Sequence, residues 1–201
     1  MRKIAVIYSG NAPHYRAFNE PKFAQYIDKL IYLPEFLDED LMPYDVLIIP
    51  SQLNLNLLLK CVDKIYEFAN QGKVVMAFGP QPLKWLPNQN WEYRETNFWW
   101  WLEENSDSGL RTKNEDHSFY DYFTIEDCTW HQHGVFWPRE DVTTLVTTKD
   151  GGAVLYIDKS STKGAWVVTT LDPEYHFGSY FMPAAERFLD MLFPWLSYGN
   201  I

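Results

Sequence analysis

The chain has 201 residues, 46% of them hydrophobic and 17% aromatic, which suits one well-packed domain and is too short for two ordinary ones. Lys and Arg number 17 against 27 Asp and Glu, and the net charge of -10 disfavours nucleic acid and anionic membranes as partners. The apolar run in MRKIAVIYSG is shorter than a signal-peptide core or a membrane span, and Cys61 and Cys128 form no CxxC or paired spacing, so a reducing, cytoplasmic setting is expected.

Lys3 to Tyr8 is a nearly continuous apolar run closed by Ser9-Gly10-Asn11, the pattern of a buried parallel strand and its following loop. Phe23, Ile27 and Leu30 recur at helical spacing and predict a helix over about 20–30; Ile31-Tyr32-Leu33 before Pro34 predicts a short strand. Tyr44 to Ile49 (YDVLII) predicts another strand, ended by Pro50-Ser51-Gln52. Leu57, Leu58, Cys61, Ile65, Phe68 and Ala69 then recur every three or four residues, predicting a helix from Asn54 to Asn70 with Gly72 as its stop. Val74 to Phe78 is a further strand run ending at Gly79-Pro80.

From about 85 to 138 the pattern is irregular and rich in tryptophan (Trp85, Trp91, Trp99, Trp100, Trp101, Trp130, Trp137), as in an insertion belonging to the same domain. Val142 to Thr148, Ala153 to Ile157 and Ala165 to Leu171 are strand runs, the first two joined by a hairpin turn at Lys149-Asp150-Gly151-Gly152. Phe181 to Leu196 closes the chain as an amphipathic helix. The alternation predicts a single α/β domain over 1–201. Its expected form is a flavodoxin-like three-layer sandwich with a mostly parallel sheet and an antiparallel C-terminal portion.

In an open parallel sheet, ligands bind beyond the carboxyl ends of the strands, where loops meet helix N-termini. That rule selects Ser9, Gly10, Asn11 and His14 after the first strand, and Ser51 and Gln52 after the third. After the fourth it selects Gly79, Pro80 and Gln81, and after the last Asp172, Glu174, Tyr175 and His176.

The order of YDVLIIPSQ, a long helix, QGKVVMAFG and KGAWVVTTLDPEYHFGSYF before a terminal helix resembles the class I glutamine-amidotransferase-like superfamily, in particular its trehalose-utilisation (ThuA-like) branch. The resemblance spans most of the chain and is weakest between about 85 and 122. In the glutaminases of that superfamily a cysteine at a sharp strand-to-helix elbow is the nucleophile and a late histidine its base. The elbow here reads Met76-Ala77-Phe78-Gly79-Pro80, with no Cys, Ser or Thr, so the resemblance implies the fold without the glutaminase reaction. His176 stands at about the place of the late histidine, and His133-Gly134-Val135-Phe136 resembles a histidine segment of the ThuA-like branch.

His176, His133 and Asp172 are therefore the candidate catalytic residues, with Ser9, Gly10, Asn11, Ser51, Gln52, Gly79, Gln81 and Tyr175 as candidate ligand contacts. Asp172, before Pro173, also fits simple turn chemistry. His131 and His133 point the same way on an extended chain and can share a metal, or bond to backbone carbonyls; no metal is assigned and the cofactor is unspecified. The tryptophan-rich segment fits an aromatic floor, core packing or a homodimer contact. A small polar or carbohydrate-like ligand is the expected partner. The other readings kept open are a His-dependent enzyme and a structural subunit of a complex.

Overall fold

A computed structural model of the chain describes residues 1–96, 102, 104, 106–180 and 182–201. Trp99, Trp100, Trp101 and Phe181 of the sequence reading lie outside the described residues. The first part of the chain forms β1 (Ile4–Tyr8), α1 (Ala12–Asn19), α2 (Pro21–Ala24), β2 (Ile27–Tyr32), β3 (Val46–Ile49), α3 (Leu55–Asn70) and β4 (Val74–Ala77). The middle holds three short strands, β5 (Trp91–Tyr93), β6 (Leu110–Thr112) and β7 (Gly134–Phe136). It is followed by β8 (Thr143–Thr148), β9 (Ala153–Asp158), β10 (Ala165–Thr169), α4 (Pro173–Gly178) and α5 (Pro183–Tyr198).

One sheet joins these strands in the order β2-β1-β3-β4-β10-β9 and then forks, β9 pairing with both β7 and β8, which carry β5 and β6. The β1–β2, β1–β3, β3–β4 and β4–β10 pairings are parallel. The β9–β10, β7–β9, β8–β9, β5–β7 and β6–β8 pairings are antiparallel. The sheet is therefore mixed, which corrects the expectation of a mostly parallel one. The middle segment supplies three strands of its own, and the hairpin at Lys149–Gly152, with Gly151 at φ +93°, turns β8 back onto β9. Short loops can join strands only in antiparallel fashion, so the irregular middle adds to that half.

β1, β3 and β4 read as unbroken apolar runs because both of their faces are covered. Ile4, Val6, Val46, Ile48 and Met76 pack in a cluster with Ala17 and Phe18 of α1, Phe23 of α2 and Phe188, Leu192 and Phe193 of α5. Ala5, Ile7, Leu47, Ile49, Val75 and Ala77 pack in another with Leu58, Cys61, Ile65 and Phe68 of α3. Asn54 caps α3 by accepting from the Leu57 N–H at 3.2 Å, and Gly72 at φ +83° ends it, as its spacing predicted.

The predicted helix over about 20–30 is not formed. Its apolar residues divide between two jobs: Phe23 stacks on Phe193 at 5.4 Å and meets Phe177 edge-on at 5.1 Å, and Ile27 opens an edge strand paired to Ile4. The Asp28 carboxylate accepts from the Ile4 N–H at 2.8 Å, reinforcing that pairing. The helix that completes the crossover lies earlier, over Ala12–Asn19, where the buried face is His14, Ala17 and Phe18. A buried histidine in place of an aliphatic residue conceals that helix from an apolar pattern.

Candidate functional site

The carboxyl ends of β1, β3, β4 and β10 point to one edge, and the segments that follow them bury an unusual set of polar groups. Ser51, Asp172, Glu174 and His176 are each at most 6% exposed, and His14 is fully buried. Each is brought in by its own local structure. Asn11 caps α1 by accepting from the His14 N–H at 2.8 Å, which fixes the backbone that carries the imidazole. The turn from β10 into α4 carries Asp172 and Glu174, with Pro173 at the first helical position.

Gly79 explains why the predicted elbow holds no side chain. It sits at φ +80°, and a Cβ there would stand 2.5 Å from the Ser51 Cβ and 3.7 Å from the Asp172 Cβ. Its N–H donates to the Leu171 carbonyl at 2.9 Å. The elbow backbone thus presses the loop after β3 against the loop after β10, and any larger residue would push them apart.

Two chains of contacts run through the cluster. In one, the Ser9 hydroxyl lies 3.2 Å from Nδ1 of His14, whose Nε2 is 3.9 Å from Oε1 of Glu174. That carboxylate oxygen accepts from the Ser51 N–H at 2.6 Å. In the other, Nε2 of His176 lies 3.1 Å from Oδ1 of Asp172, which also takes the Trp130 indole N–H at 3.5 Å. The His131 ring stands edge-on to His176, centroids 4.7 Å apart, and His133 follows at 5.3 Å from His131.

Burial sets the protonation of these groups. It pushes Glu174 up to about 7, helped by repulsion from Asp172 and opposed by the Ser51 hydrogen bonds. It pulls His14 down to about 4, opposed by the Ser51 backbone as a hydrogen-bond acceptor. His131 falls to about 4 for the same reason, with His176 adding repulsion. The contact between His14 and Glu174 is thus a desolvated pair in which both partners shift toward neutrality, rather than a strong ion pair. Glu174 Oε2 is buried without a hydrogen-bond partner among the described residues.

The remaining candidates divide. Tyr175 is half-buried, its ring 5.6 Å from that of His176. Gly10, at φ +87°, is exposed beside the Tyr32 ring, and Gln52 is exposed at φ +52° on the mouth of a pocket of about 200 Å³ also lined by Ser51, Pro80 and Gln81. The Gln81 amide is turned inward, donating to the Phe78 carbonyl at 2.9 Å and accepting from the Trp85 indole at 2.6 Å. His133 lies off the centre of the cluster, 3.0 Å from the Thr96 hydroxyl. Among the described residues no group of three His, Cys, Asp or Glu side chains is arranged to hold a metal.

Glu174 and His14 are more central than the sequence indicated. An acid directly after Asp-Pro and a histidine in the first turn of a helix are ordinary surface patterns, and only strand order buries them together. Cys61 and Cys128 are buried free thiols, each with its pKa raised by burial. Of the described tryptophans in the middle segment, Trp85 and Trp130 are core, whereas Trp137 is 36% exposed.

The fold and this edge define an α/β protein with a buried acid–imidazole cluster at the ends of its parallel strands. Solved structures share the architecture. The cytoplasmic protein STM1381 from Salmonella typhimurium LT2 superposes with a TM-score of 0.63 at 12% identity over 98% of this chain and 100% of its own. STM3548, a cytoplasmic protein from Salmonella typhimurium, gives 0.61 at 11% identity over 98% of both chains. The exo-beta-1,4-mannosidase Op5Man5 from Opitutaceae bacterium strain TAV5 gives 0.52 at 10% identity, over 89% of this chain and 33% of that enzyme. At these identities the likeness is one of fold. No family model and no curated protein matches the chain. No described helix is long and apolar enough to cross a membrane.

Proposed function

We propose that the chain is a single class I glutamine-amidotransferase-like domain, ThuA-like in motif order, that binds a small polar or carbohydrate-like ligand at the strand-end edge and has no glutaminase activity. The observation that carries this reading is the burial of His14, Ser51, Asp172, Glu174 and His176 together, at a cost in desolvation that a purely structural domain has no need to bear. The order β2-β1-β3-β4-β10 supports a flavodoxin-like, three-layer design for the parallel half, since it repeats the 2-1-3-4-5 order of that architecture. Thermal-shift screening with sugars, including mannosides, and with polar metabolites tests the binding. Stabilisation by one class and its loss in Asp172→Asn is the expected result; no stabilisation anywhere in the panel overturns it. Glutamine incubated with the protein should release no ammonia above background, because Phe78, Gly79 and Pro80 offer no attacking atom.

A second reading, a His-dependent enzyme acting on a carbohydrate-like substrate, is favoured by the 3.1 Å contact of His176 with Asp172 beside His131. Turnover that disappears in His176→Ala would support it, and unchanged turnover would remove it. A cytoplasmic location accords with the charge and with the fold of the two Salmonella proteins. A homodimer through the 85–138 segment has a narrower base once Trp85 and Trp130 are counted as core; light scattering on concentrated protein decides it.

A further inference from the structure

We infer that Ser9, His14 and Glu174 form a nucleophile relay that hydrolyses carboxylic esters borne on a ring. The three side chains lie in line. The Ser9 hydroxyl is 3.2 Å from Nδ1 of His14, and Nε2 on the far side of the ring is 3.9 Å from the Glu174 carboxylate. Ser9 is half-buried at the open end of β1, whereas His14 and Glu174 are sealed behind it, the gradient of exposure a serine nucleophile needs.

Each member is held from outside the relay. The Asn11 cap fixes His14, and the Ser51 N–H fixes one oxygen of Glu174 at 2.6 Å. The depressed basicity of His14 keeps its imidazole neutral and able to accept a proton. Around the serine, the Tyr8 ring lies 6.1 Å from Tyr15 and 5.8 Å from Tyr32, and Tyr32 abuts Gly10. This group of three rings, on residues that adjoin Ser9 and His14 in the chain or pack on Gly10, suits a sugar or aryl ring by stacking and edge contacts.

The reaction balances with water as the only co-reactant. The Ser9 Oγ–H proton passes to His14 Nδ1 as Oγ forms a bond to the ester carbonyl carbon. The carbon–oxygen bond to the alcohol then breaks, and the leaving oxygen takes the proton from His14. Water, deprotonated by the same nitrogen, attacks the acyl-Ser9, releasing the carboxylic acid and restoring the hydroxyl. Glu174 acts as a positioning residue: ionised above its raised pKa of about 7, its carboxylate faces Nε2 and stabilises the imidazolium that forms in each half.

The full chain is treated with a fluorophosphonate probe and mapped by peptide mass spectrometry, beside a known serine hydrolase. Label on Ser9 that is absent in Ser9→Ala is the expected result. No label on Ser9 while the control enzyme is labelled overturns the inference without recourse to any variant of the buried residues. With p-nitrophenyl acetate, Glu174→Gln should lower kcat by about a hundred-fold and leave KM within about two-fold. An unchanged kcat in that variant, with the folded spectrum retained, removes Glu174 from the relay.

Discussion

In the parallel half of the sheet, His14, Ser51, Asp172, Glu174 and His176 are buried together at the strand ends, whereas in the antiparallel half the buried Asp158 is satisfied by Ser160 and Ser161 and the ion pairs lie at the surface. There Arg94 pairs with Asp150, Arg111 with Asp107 and Arg139 with Asp141, at the surface and with geometry that any solvated loop can adopt. The comparison separates two uses of polar side chains. Exposed pairs are screened and contribute little to folding, while a desolvated acid and imidazole shift in pKa and oppose the fold that holds them. The clustering of buried acids and imidazoles, His14, Asp172, Glu174 and His176, at the ends of β1 and β10 therefore marks the candidate edge.

The largest expected effect is at the seam between the halves. Trp166 on β10 is fully buried, packed against Tyr66 at 4.9 Å and Trp85 at 6.2 Å, and its indole donates to Thr162 at 3.0 Å. Trp166→Ala should cost about 3–5 kcal/mol in urea unfolding. A loss under about 1 kcal/mol would mean that the two halves do not share a core there.

Glu174→Gln sharpens the contrast through pH. Because the folded-state pKa, about 7, lies above the ordinary 4.5, the native state holds its proton while the unfolded chain releases it. The stabilising contribution is complete below pH 4.5 and is lost as pH rises to 7. Gln does not titrate, so the variant should gain on the wild type by on the order of 3 kcal/mol between those limits in stability measured across pH. His14, held at about 4, acts in the opposite sense, losing its contribution as pH falls from 6.5, and is common to both proteins. A difference that does not vary with pH would show that the acid is solvated, like Asp150.

Gly79→Ala adds a methyl where the Ser51 Cβ would be 2.5 Å away, on a backbone at φ +80°. We expect a loss of about 1–3 kcal/mol and, from the displaced Ser51, a weaker response to any ligand found by thermal shift. The smallest effect belongs to the antiparallel half. Asp150→Asn should leave the unfolding midpoint unchanged within measurement, although Asp150 meets both terminal nitrogens of Arg94. A clear drop there would erase the distinction drawn between the two regions.

Local pattern was enough for the elements that bury a regular stripe. The helix from Leu55 to Asn70, the runs that became β1, β3, β4, β8, β9 and β10, and the Asp150-Gly151 turn are all legible because apolar period and turn chemistry act over a few residues. The rule that ligands gather beyond parallel strand ends brought Ser9, Ser51, Gly79, Asp172 and His176 to one edge. What tertiary structure alone decided was different in kind. Whether Ile27 would be helix or strand depended on β1 needing a partner, and the mixed character of the sheet depended on β5, β6 and β7, three-residue pieces with no pattern of their own. The pairing of His14 with Glu174 spans 160 positions of sequence and exists because β1 and β10 end on the same edge of the sheet, with β3 and β4 between them, an arrangement that no local period encodes.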